Sequence, residues 1–154
     1  MSEARQKKES LEQEVDHVVE EARMVLPGIQ ALLGFQLVAV FNQRFAELLP
    51  FGARVLHLAS IVLVAIAIAL IMAPAAYHRQ AERGTISRHL ANLGSRLITT
   101  AMAPLTAAIA LEVGLVAYAI LATVWVSILL ALLLALFFAA LWFVYPALKR
   151  RRGR

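Results

Sequence analysis

The sequence predicts an all-α protein, a bundle of four transmembrane helices preceded by a cytoplasmic amphipathic helix. Three observations carry that reading. From Leu97 to Tyr145 the chain holds a single charged side chain, Glu112. A helix needs about 20 apolar residues to cross the hydrocarbon core, so this stretch is two spans joined by almost nothing. Hydrophobic residues make up 61% of the chain and its mean hydropathy is +0.74, well above a soluble domain of this length. The Lys and Arg residues, finally, flank apolar runs instead of forming a patch of their own.

The N-terminal segment, residues 1–23, is predicted to be the cytoplasmic helix. Ser10 and Gln13 form an S-x-x-Q capping pattern that can open it. Leu11, Val15, Val18, Val19, Ala22 and Leu26 then recur at helical spacing, so one apolar stripe runs on toward the membrane. Seven acids against four bases before Met24 give the helix an acidic outer face, which either lies solvated at the interface or docks a protein partner. There is no early apolar core of a cleavable signal, so the first span itself directs insertion.

The transmembrane domain, residues 24–146, divides into four apolar segments. The first, Met24 to Phe41, is the most irregular, with Pro27, Gly28, Gly34, Gln30 and Gln36, and a bend is expected at Pro27. The second runs from about Val55 to Tyr77, with His57 near its start and Pro74 and His78 near its end. The third, Leu97 to about Leu121, contains Glu112. The fourth, Val126 to Tyr145, lies between Trp125 and the pair Trp142 and Tyr145, placed as an aromatic belt. Residues 147–154 form a basic tail. Four Lys or Arg precede the first span, four lie between Tyr77 and Arg96, and five follow the last, while the other side holds only Arg44 and Arg54. This bias predicts a multi-pass protein of the cell membrane with both termini and the middle loop in the cytoplasm. The same distribution explains a net charge of +5 without nucleic acid.

Candidate chemistry centres on Glu112. A carboxyl at such depth is costly, and it can bind and release a proton near neutral pH or ligate a cation once paired. The structural alternative is a hydrogen-bonded acid that locks helices together, against Gln30, Gln36 or a threonine. Thr99, Thr100 and Thr106 share its span and could supply oxygen ligands, or bond back to their own helix. Gln30 and Gln36 lie about 240° apart around a helix, so at most one of them lines a path. Asn42 adds a polar position after the first span.

His78 and Arg79 are expected to anchor the cytoplasmic boundary, where His78 could also accept a proton. No pair among His17, His57, His78 and His89 has the same-face spacing of a metal or haem site, so neither metal nor cofactor is expected. With no cysteine, disulfides and thiolate chemistry are excluded. Phosphate-cradling glycine loops, HExxH and nucleophile elbows are also missing, so no enzyme is expected. Small-residue stripes, Ala65, Ala69, Ala73 and Ala76 on the second span and Ala103, Ala107, Ala110, Gly114 and Ala117 on the third, read as helix-packing faces.

Residues 20 to 80 carry a resemblance. Glu21 through Gly28, Gln30, Gly34 and Phe35, then Asn42-Gln43-Arg44-Phe45, then Ala73-Pro74 and Ala76-Tyr77-His78-Arg79 resemble a family of small four-span bacterial membrane proteins. That family is common in actinobacteria and bears only a domain-of-unknown-function label, although some members are labelled sodium/proton antiporters. A fainter similarity is to four-span calcium channels of the store-operated type, in which Gly34-Phe35 and Glu112 would occupy the glycine-phenylalanine pair of the first span and the third-span glutamate. Asn42 stands where those channels carry their selectivity glutamate.

Two functions follow. In one, the protein is a proton- or cation-handling transport component, homo-oligomeric because one short bundle can hardly enclose a pathway. Glu112 titrates or ligates in it, and Gln30, Gln36 and Asn42 are relay positions. In the other, it is a scaffold or regulator that docks a partner through the N-terminal helix. A hydrated cavity touching Glu112 favours the first, and a lipid-facing or dry contact the second.

Overall fold

A computed structural model describes residues 2–81 and 87–152, and all regular structure among them is helical. The first helix, α1 (Ser2–Ala39), runs without a break through the polar N-terminal segment and the first apolar run. Its start therefore lies upstream of Ser10, whose side chain is outside the described residues. Ala, Glu, Gln, Lys and Arg dominate the opening stretch and all favour helix, so nothing local ends it before the membrane run begins. Pro27 is accommodated within the same helix, as Pro74 and Pro104 are in theirs. Neighbouring helices can satisfy the backbone groups a proline frees.

A short helix, α2 (Gln43–Leu48), follows a turn. Asn42 caps it, Oδ1 accepting from the Arg44 amide at 3.0 Å. Next come α3 (Phe51–Ala81) and α4 (Arg88–Leu121). The turn between α4 and α5 (Val124–Ala139) is only Ala122 and Thr123, with Ala122 left-handed at φ 49°. A π-helical segment, Ala140–Val144, joins α5 to α6 (Tyr145–Arg152). Four helical stretches are long and apolar enough to cross a membrane: Val15–Ala39, Phe51–Ala81, Arg88–Leu121 and Val124–Arg151. They extend the apolar runs read from the sequence because backbone hydrogen bonding does not stop where hydrocarbon stops.

Helix α4 is the hub, packing on α3, α5 and α1, while α1 also lies on α3. The core joins Ile29 of α1, Val64, Ala67 and Ile71 of α3, and Ala101, Leu105 and Ala108 of α4, with Trp142 reaching it from the π segment. The packing face of α3 is thus not the alanine stripe. Ala65, Ala69 and Ala76 are exposed and Ala73 is half-buried, because one residue of offset turns a helix by about 100° away from Val64, Ala67 and Ile71. On α4, Ala103 is exposed, whereas Ala110 and Ala117 are buried.

Two glycines mark close approaches. A Cβ on Gly94 would lie 2.8 Å from Cγ1 of Val18 and 3.7 Å from Cβ of Pro74, so α1, α3 and α4 converge there. A Cβ on Gly114 would sit 3.0 Å from Cβ of Ala131, where α5 leans on α4. Val18, on the apolar stripe of the N-terminal segment, is therefore engaged by its own chain. The outer face of α5, with Leu129, Leu132, Leu133, Leu136 and Phe137 exposed, suits hydrocarbon.

Candidate functional site: a histidine–glutamate pair between α3 and α4

The site begins in the last turn of α1, where Gln36 points inward and is 2% exposed. Its Nε2 donates to Oγ of Ser60 at 2.6 Å. Ser60, fully buried on α3, donates in turn to the Ala108 carbonyl of α4 at 3.2 Å. One amide and one hydroxyl thereby tie three helices at a single level. His57 lies one turn before Ser60 on the same face of α3, and Glu112 one turn beyond Ala108 on α4. Those offsets bring the imidazole and the carboxyl together. Nδ1 of His57 is 2.8 Å from Oε1 of Glu112, with side chains 4% and 18% exposed.

The other ring nitrogen fixes the chemistry. His57 Nε2 is 3.0 Å from the Gln36 carbonyl oxygen, which can only accept, so Nε2 carries a hydrogen. The contact between Nδ1 and Oε1 then requires one further proton, held either by the ring or by the acid. An imidazolium facing a carboxylate and an imidazole facing a carboxylic acid are both neutral overall. Without that proton, two lone pairs would face each other at 2.8 Å and the pair would carry a net negative charge. The Phe45 ring meets the imidazole edge-on, centroids 5.0 Å apart, and shields it.

A cleft of about 270 Å³ opens onto the pair, lined by Asn42, Arg44, Phe45, His57, Glu112 and Leu115 among others. Glu112 Oε2 and Gln36 Oε1 are buried and find no hydrogen-bond partner among the described residues. Asn42 and Arg44 are exposed, and the Asn42 side chain already serves α2 as its cap.

The remaining candidates lie elsewhere. Gln30 is exposed on the outer side of α1. Thr99, Thr100 and Thr106 donate to the carbonyls of Ser95, Arg96 and Met102 at 2.8 Å, so their hydroxyls serve their own helix. His78 and Arg79 lie about 30 Å along α3 from His57. They line a separate cavity of about 150 Å³ with Val15, Val18 and Leu90. Ala69, Ala73, Ala110 and Gly114 are outside the site, with Ala110 buried and Gly114 against α5. No group of three His, Asp or Glu side chains among the described residues could hold a metal.

A family model of unknown function, DUF6328, matches residues 4–146. The chain belongs to the DUF6328 family. No curated protein and no solved structure matches it. In this DUF6328 chain the match takes in Gln36, His57, Ser60 and Glu112 together, so the whole site falls inside the family's bounds. Glu112 and Gln36 stand out in the sequence as polar groups within apolar runs, whereas His57 and Ser60 carry no such signal. A depth count could have found His57: it lies six residues into α3 and Glu112 nine residues from the end of α4, about 9 Å and 14 Å from the same end of the bundle.

Proposed function

We propose that this protein is an integral membrane component of proton- or cation-coupled transport, in which the His57–Glu112 pair binds and releases one proton. The observation that carries the reading is the hydrogen-bond pattern around His57. Nε2 is committed to the Gln36 carbonyl and Nδ1 faces a carboxyl that borders a cleft. A purely structural acid needs no access route, whereas a titrating one does. The Lys and Arg bias places both termini in the cytoplasm, so the cleft, at the opposite end with Asn42 and Arg44, opens toward the outside. Loss of the proton would break the contact between α3 and α4 that the proton holds, and this links protonation to helix position. Val15 and Val18 of the apolar stripe are half-buried on the protein's own α3 and α4, which leaves only the acidic outer face of this helix to the scaffold alternative.

The test is reconstitution into vesicles with an imposed pH gradient, with sodium, potassium and calcium supplied in turn. Wild-type protein should dissipate the gradient with at least one of these ions, and Glu112→Gln should not. Equal flux from both proteins, or none from either, would remove the transport reading.

A further inference from the structure

The amide side chain of Gln30 in the first span is turned away from the bundle. Gln30 is exposed on α1 and makes no hydrogen bond to another described residue. It lies nine residues from Ala39 and six from Met24, about 14 Å and 9 Å along the axis, so its amide is close to the middle of the apolar run. Hydrocarbon offers that amide neither donor nor acceptor, and exposure there is costly. Gln36, two turns on, is buried and donates to Ser60. The two glutamines of α1 thus have opposite settings, and only one is provided for by its own chain.

Gln30 belongs to a regular stripe. Glu20, Arg23, Pro27, Gln30, Gly34 and Leu37 follow one another at alternating intervals of three and four, and every one is exposed. That is the interval of a helix seam that packs lengthwise against another helix. Nothing lies within 4 Å of a Cβ built on Gly34, one turn from Gln30, so a second backbone can come close there. The outer face of α5 is aliphatic and aromatic and makes no comparable demand.

We infer that this face of α1 is the contact with a second copy of the chain, with the Gln30 amides of the two copies paired at its centre. Two considerations select a second copy over another partner. Copies inserted with the same topology are related by an axis normal to the membrane, so identical residues meet at identical depth. A primary amide is self-complementary, and two glutamines related in this way satisfy each other as donor and acceptor. The contact stands independently of the proton site.

The chain has no cysteine, so single-cysteine variants report the interface cleanly in intact membranes. On oxidation, Gln30→Cys and Gly34→Cys should each form a disulfide-linked species of twice the chain mass. Ala65→Cys and Ala69→Cys, exposed on α3, should remain single chains. In lipid nanodiscs or by energy transfer in vesicles, Gln30→Leu should weaken self-association by roughly tenfold. Gly34→Leu should do the same while leaving the unfolding midpoint unchanged, because its side chain meets nothing within the protomer. Cross-linking at α3 as efficient as at α1, no cross-linking at any position, a Gln30→Cys adduct of another mass, or undiminished association of Gln30→Leu would each overturn the inference.

Discussion

His57 Nδ1 and Glu112 Oε1 meet at 2.8 Å across the boundary of α3 and α4, with the far side of the imidazole held by the Gln36 carbonyl. A carbonyl never donates, so this pair cannot be emptied of its proton without losing the contact. The contact joins α3 to α4 through one proton, held by the ring or by the acid, and the pair is neutral as a whole in either form.

Glu112→Gln should fold as well as the wild type or better. Its amide can donate to Nδ1 as the carboxylic acid does, and a buried amide costs less than a buried charge. Glu112→Ala, by contrast, should lower stability by about 1–3 kcal/mol, because Nδ1 is left without a partner. Thermal unfolding of the two variants in one detergent checks this. A Gln variant as unstable as the Ala variant would show that the native pair is an ion pair needing its carboxylate.

His57→Leu should cost about 1–3 kcal/mol, since it strands both the Glu112 carboxyl and the Gln36 carbonyl. Adding Glu112→Leu removes one of those stranded groups, so the double variant should be more stable than the sum of the two losses by about 0.5–3 kcal/mol. Strict additivity in a double-mutant cycle would show that the two side chains are not energetically coupled.

Gly114→Leu should separate α5 from α4, because even a Cβ at this position lies 3.0 Å from the Ala131 Cβ and 3.4 Å from the Ser127 carbonyl oxygen. A loss of about 1–3 kcal/mol is expected, with a smaller loss for Gly114→Ala. An unchanged unfolding midpoint for the leucine variant would count against the contact.

Ala122→Gly should stabilise the protein by about 1 kcal/mol. Ala122 is the one non-glycine residue with positive φ among those described, and the left-handed region is strained by a Cβ. A midpoint that falls instead would mean that the alanine methyl packs usefully in the turn.

Reporter fusions at residues 85 and 154 should read as cytoplasmic and one near residue 50 as external, as the thirteen-to-two distribution of Lys and Arg demands. An external signal at residue 85 would reverse the orientation assigned to the cleft.

The sequence by itself determined the number of crossing helices, their order and the odd acid among them. Those properties depend on how much apolar length lies between charges, and that is a local count. It also separated Gln30 from Gln36, because 100° per residue is fixed by the helix alone. Tertiary structure decided the rest. Which face of α3 turns inward depends on how Val64, Ala67 and Ile71 fit against α1 and α4, and small residues at helical spacing on the neighbouring face carry no such information. A depth count puts His57 near the level of Glu112, but the rotation of α3 that turns its imidazole onto the carboxyl is not written along the chain. Periodicity describes one helix at a time, whereas the Gln36, His57 and Glu112 contacts exist only where three of them set their rotation and height against one another.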